Sequence, residues 1–194
     1  KDKELVKFDN EFASLKIDFE NKSRQQNAQI LIQNKRSASL NGVKKKSAAA
    51  LGEELKAVIF SPVHLSMVKD GPIERRKFID NALCQLKFNY RNVLKDYNRS
   101  LSQRNMLLKD AAKNNSLLDM LYIWDKNLAI SGAKIIYQRQ KYIETLLPFA
   151  KDIFDGLSSG KEDIDLILKG PFAYSGLTVD EIQKQLMFAF DNNR

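Results

Sequence analysis

The sequence predicts an α+β chain: a small antiparallel β-rich front, a long helical arm, and a short strand-helix tail. Three observations predict it. Apolar and polar residues alternate before residue 60, the period of a half-buried strand. From Tyr90 to Ile153 apolar residues recur at steps of three, four or seven, the period of a packed helix. Only four prolines occur in 194 residues, which permits long helices. Three segments are expected: 1–60, 61–160 and 161–194.

In the front, Leu15, Ile17 and Phe19 alternate with Lys16 and Asp18, and Ala28-Gln29-Ile30-Leu31-Ile32 reads as a second strand. Asn41-Gly42 is a hairpin signal, because both turn positions favour φ > 0. Ser47 to Leu55 reads as a short helix. Lys56-Ala57-Val58-Ile59-Phe60 reads as an apolar strand stopped by Ser61-Pro62. With no closure after Phe60, the sheet is expected to be completed by sequence outside this chain.

The arm is expected to be helical from Pro62 to Asn114. Gly71-Pro72-Ile73-Glu74 is a start signal, with Pro at the first helical position and an acid near the positive end of the dipole. Tyr90, Leu94, Tyr97, Leu101 and Leu108 form one stripe. A second long helix carries Leu121, Trp124, Leu128, Ile135, Tyr142, Leu146, Phe149 and Ile153, with a kink expected at Pro148 and an end at Ser158-Ser159-Gly160. The two stripes are expected to face each other. In the tail, Ile164 to Leu168 reads as a strand, and Thr178-Val179-Asp180-Glu181 as a capping box.

The net charge of +8 suits a polyanionic partner. The excess is uneven. Residues 71–113 hold ten basic and four acidic side chains, whereas 161–194 hold four and six. Arg91, Lys95 and Arg99 recur at i,i+4 and are the candidate DNA-contacting residues. Two readings stay open: a phosphate-binding stripe, or a basic face that is solvated or covered by acidic groups. Lys44-Lys45-Lys46 reads as an exposed loop within reach of phosphate.

Enzyme chemistry is sparse. His64 is the only histidine and Cys84 the only cysteine, which excludes a zinc site of several such ligands and an intramolecular disulfide. A reducing cytoplasm is the natural setting. No Gly-x-x-x-x-Gly-Lys-Ser/Thr loop occurs. Lys1-Asp2-Lys3-Glu4 has no apolar signal core, and without an initiator Met the start is expected upstream. Asp163 and Asp165 alternate with Ile164 and Leu166 and read as a wet strand face. Leu157-Ser158-Ser159-Gly160-Lys161 has the letters of an ABC-type signature loop but reads as a helix stop. No catalytic, cofactor-binding or metal-ligating residue is assigned in this chain.

An ordered series of short motifs runs from Val58 to Lys109. It comprises Val58-Ile59-Phe60-Ser61-Pro62, Gly71-Pro72, Arg75-Arg76, Phe78-Ile79-Asp80, Tyr97-Asn98-Arg99, and Gln103-Arg104-Asn105 with Leu107-Leu108-Lys109. Trp124-Asp125, Gly132-Ala133 and Ile135-Ile136 with Arg139 continue it. The series closely resembles the RecF family, bacterial recombination mediators with an ABC/SMC-like ATPase head. The resemblance implies that this chain supplies later strands of lobe I and the helical lobe II. It implies a Walker A loop upstream, and a signature loop and Walker B strand downstream. For the whole protein it implies ATP with magnesium, ATP-dependent homodimerisation, and binding to gapped or single-strand/double-strand junction DNA. It further implies work with RecR and RecO in loading recombinase, within repair, recombination, replication and the SOS response. Arg75, Arg76, Asp80, Arg104, Asn105, Trp124 and Asp125 are the candidate structural motif. Arg76 is placed to pair with Asp80 at i,i+4, and one of Arg75 and Arg76 is expected to be buried against carbonyls. Val63-His64 departs from the acidic residues usual after Ser-Pro in the family. The competing reading is a stand-alone helical protein-protein interaction module.

Overall fold

The structure, a computed structural model, describes residues 2–21, 23–65, 67, 69 and 71–192. The chain forms two compact units, 1–65 and 66–194.

In the first unit four strands, β1 (Ala13–Asn21), β2 (Arg24–Ile32), β3 (Arg36–Leu40) and β4 (Val43–Lys45), form an antiparallel meander in sequence order. The β3–β4 turn places Asn41 at φ 51° and Gly42 at φ 77°, both left-handed, as Asn-Gly permits. Ala28, Ala38, Leu40 and Leu51 form the buried core, with Phe19 and Ile30 beside them. Leu51 reaches the sheet from a 3-10 helix, Ala48–Glu53, inside the short helix expected from Ser47 to Leu55. Ser47 makes no side-chain cap there, so nothing local extends the turn. The strand expected at 56–60 does not form. Val58, Ile59 and Phe60 are exposed, and no neighbouring strand pairs with them among the described residues. Short helix α1 (Pro62–Leu65) follows, and the Ser61 N–H donates to His64 Nδ1 at 3.3 Å, a local capping contact. The Val63 side chain lies outside the described residues.

The second unit holds α2 (Pro72–Leu86), α3 (Tyr90–Ala111), α4 (Leu121–Ser158) and α5 (Val179–Asp191). The continuous helical run expected to Asn114 is interrupted at 87–89, where Lys87 leaves the α region at ψ 112°. Helices α3 and α4 pack antiparallel through a 3-10 turn, Asn115–Met120. Contacts step by seven on both helices: Tyr97 lies against Gly132, and Arg104 against Asp125. This is the seven-residue repeat of a coiled-coil-like pair. A Cβ on Gly132 would sit 3.4 Å from both Tyr97 and Leu186, in ordinary van der Waals contact, so the site has room for a methyl and little more.

The facing seam is shorter than the sequence stripe. Leu121, Leu128 and Ile135 are buried, but Phe149 and Ile153 are exposed. With 38 residues against 22, α4 outruns α3 by roughly 24 Å at 1.5 Å per residue. Its last turns leave Phe149, Ile153 and Leu157 exposed. The helix continues through Pro148 and stops at Ser159, in the left-handed region at φ 54°. The Gly160 N–H reaches back to the Asp155 carbonyl at 3.1 Å.

The strand expected from Ile164 to Leu168 is absent. Its alternation survives, with Ile164, Leu166 and Leu168 half-buried, but no partner strand lies beside it among the described residues. Asp163 and Asp165 each accept the next residue's N–H at 2.8 Å. Tyr174 packs so tightly on Gly170 that a Cβ there would lie 1.5 Å from the Tyr174 hydroxyl. The capping box is present: Thr178 Oγ1 accepts the Glu181 N–H, and Glu181 Oε2 accepts the Thr178 N–H. Ile182 and Leu186 of α5 pack against Ala129 and Ala133 of α4.

Candidate nucleic-acid interface

One side of α3 is core and the other is cationic. Tyr90 is buried and Leu94, Tyr97 and Leu101 are half-buried. Arg91, Lys95 and Arg99 are exposed on the far side, each step drifting about 40° around the helix. Among the described residues none of the three has an ion-pair partner; the pairs of this unit are made by other residues. No ion pair among the described residues therefore neutralises their charges.

Two buried polar constellations hold α3 in place. In the first, Arg139 of α4 grips Asp80 of α2 with both nitrogens, Nε to Oδ1 at 2.8 Å and Nη2 to Oδ2 at 2.7 Å. The Tyr90 hydroxyl donates to Asp80 Oδ1 at 2.7 Å, so one carboxylate ties three helices. Burial, and then the Asp80 carboxylate, push the Tyr90 phenol well above its ordinary value. Burial works against the charge of Arg139, but Asp80 outweighs it and its guanidinium is held protonated more firmly than usual.

In the second, Arg104 Nε donates to Asp125 Oδ1 at 2.5 Å, and Asp125 is fully buried. The Arg104 guanidinium also lies 5.4 Å from the Phe190 ring centroid, linking α3, α4 and α5.

The Arg76–Asp80 pair is not formed, because Arg139 and Tyr90 take the carboxylate. Instead Arg76 donates to the Pro72 carbonyl at 3.2 Å and Arg75 to the Met67 carbonyl at 3.1 Å. Both are exposed, so neither is the buried arginine expected there. That role falls to Arg139, quoted in the sequence resemblance but not singled out as a site residue. Asn105 is exposed, and Trp124 is half-buried beside Arg99.

A depression of about 360 Å³ opens between α3 and α4, walled by Asp96, Arg99 and Ser100 on one side and Trp124, Asn127 and Lys134 on the other. Lys134 carries no motif. Its place follows only from the seven-residue register, which puts it on the same face as Trp124.

The chain is 34% identical over 177 residues to "DNA replication and repair protein RecF" of Lachnoclostridium phytofermentans, covering 90% of this chain and 49% of that protein. It is 38% identical over 168 residues to the protein of that name from Acetivibrio thermocellus, covering 86% and 46%. The solved "Structure of the recombination mediator protein RecF-ATPrS in RecFOR pathway" superposes on all of this chain with a TM-score of 0.89 at 29% identity, over 53% of its own length. No protein-family model matches.

The chain belongs to the RecF family.

It spans about half the length of the RecF relatives it matches. The α+β class agrees with the RecF structures. The residues present do not fit the ATP of the solved RecF–ATP structure. The sequence holds no phosphate-cradling P-loop, and among the described residues no three His, Cys, Asp or Glu side chains converge on a metal position. Ser158-Ser159-Gly160 closes α4 at its C-terminus, where the helix dipole repels a phosphate. Among the described residues no helix is long and apolar enough to cross a membrane.

Proposed function

We propose that this chain is the central stretch of a RecF-type, ATP-dependent DNA-binding repair protein, and that its α3 face meets DNA phosphates. In this reading the whole protein acts in the cytoplasm at gapped or junction DNA and helps load recombinase. It dimerises on ATP and works with RecR and RecO. ATP chemistry belongs to the half of a RecF-type protein that this chain does not span.

The observation that carries the DNA contact is the row of exposed Arg91, Lys95 and Arg99, without an ion-pair partner among the described residues, on a helix anchored from behind by buried ion pairs. The row holds only cations, and cations read phosphates rather than base sequence. Binding is therefore indifferent to sequence and falls steeply with salt as counterions are released.

Replacing all three with Glu in a full-length RecF-type protein tests this. The expected result is a large loss of duplex affinity, with the salt slope shallower by about one for each cation removed. Unchanged affinity at low salt, with helicity intact, removes this face from the DNA surface and favours the interaction-module reading.

A further inference from the structure

The α3/α4 depression is not isolated. A second one, of about 340 Å³, shares Val93 and Lys134 with it and continues to Lys87 and Phe88. Together they form one groove along the helix pair. On α4 it runs from Trp124 to Gln138, about 21 Å at 1.5 Å per residue. Lys87, Arg99 and Lys134 stand along it, and none has an ion-pair partner among the described residues. Asp96 is the one carboxylate in its lining. Phe88 is 84% exposed at one end, in the break between α2 and α3. Trp124 lies at the other.

We propose that this groove binds single-stranded nucleic acid, with phosphates against Lys87, Arg99 and Lys134 and a base stacked on Phe88. The proposal deepens the DNA-binding reading above, on which it rests, and adds a strand preference and an adjoining surface that shares Arg99 with the α3 row. Two physical facts select the occupant. Packed helices lie about 8–10 Å apart, so the furrow between them admits a single chain but not a duplex. An exposed aromatic next to unpaired cations is the combination that holds single strands, through base stacking and backbone attraction together. An acidic peptide would use the cations but leave Phe88 without a stacking partner.

Trp124 is the only tryptophan, so its emission reports directly on the groove. The 194-residue chain is titrated at low salt with a fifteen-nucleotide oligo-dT, a hairpin duplex and a poly-glutamate peptide. Saturable quenching of Trp124 by oligo-dT ahead of the other two is expected. Phe88→Ala weakens it about five-fold or more, the lower end of what one stacked base contributes. Lys134→Glu weakens it and flattens the salt slope by about one. Both residues are exposed, and circular dichroism confirms that each variant keeps its helices. No quenching by oligo-dT, wild-type binding in both folded variants, or equal quenching by duplex or peptide overturns the proposal. Arg91→Glu/Lys95→Glu separates the two surfaces. Those residues lie outside the groove lining, so the variant keeps oligo-dT quenching; loss of that quenching overturns the groove. Unchanged duplex binding by the same variant defeats the α3-face reading alone.

Discussion

Asp80 is a single carboxylate that accepts from three donor atoms of two residues, and removing it leaves charge behind. Asp80→Ala strands the largely buried Arg139 guanidinium and the Tyr90 hydroxyl. The expected cost is about 3–5 kcal/mol in urea unfolding, the range for breaking one side of a buried pair. A loss below about 1 kcal/mol would mean that water reaches the site and replaces the carboxylate. Tyr90 adds a pH signature. Its phenol is pushed up from an ordinary value of 10, so the folded state holds that proton more tightly than the unfolded chain. The stability this contributes is complete below pH 10 and is lost as pH rises from there toward the folded-state value. Tyr90→Phe should flatten the alkaline limb of the stability curve; an unchanged limb places the titration elsewhere.

Sequence reading at this scale found the participants but not the pairings. Asp80, Arg104, Asp125 and Trp124 were visible as motif letters. The proximity rule offered Arg76 for Asp80 because i,i+4 is the only distance a sequence displays. The true partner is 59 residues away. Lys134 carries no motif at all, and only the packing of α3 on α4 brings it to the groove.

At the scale of elements, period was a better guide than composition. The Tyr90–Leu101 stripe and the Thr178–Glu181 box are local patterns, and the helices they describe are present. Lys56–Phe60 and Ile164–Leu168 are local patterns too, yet neither is a strand. A strand exists only with a neighbour, and apolar alternation says nothing about whether one arrives. The packing of α4 gives a sharper test at Gly132. Gly132→Ala adds a methyl at ordinary contact distance and should be neutral or stabilise by about 0.5–1 kcal/mol, since Gly is a poor helix former. Gly132→Leu should cost about 1–3 kcal/mol by forcing α3 and α5 away. Thermal unfolding separates them, and an equal loss for both would mean that the helices tolerate no side chain there at all.

Across the whole molecule the two units differ in how much they bury. The first has a core cluster of four residues, two of them alanines, whereas the second has two clusters, carrying between them Ile182, Leu186, Leu83 and Ile135. Small cores give marginal stability, so amide exchange in this chain should be fast in β1–β4 and slow in α3 and α4. Equal protection in both units would contradict that. The chain alone should also show no heat of ATP binding with magnesium in calorimetry, given the absence of a P-loop; a micromolar dissociation constant would show that nucleotide binds here by other residues.

The seven-residue stepping of α3 on α4 makes the arm behave like a keyed shaft. Let the helices engage one notch out, with Arg104 opposite Gly132 instead of Asp125. Most apolar teeth still mesh, because a heptad maps onto the next. The keys do not. Arg104 meets bare backbone, Asp125 is sealed in without its cation, and the Tyr90 hydroxyl slides away from Asp80. Each orphaned charge costs several kcal/mol. A slipped arm is therefore penalised at its polar keys, and the aligned notch is the one that keeps them all engaged.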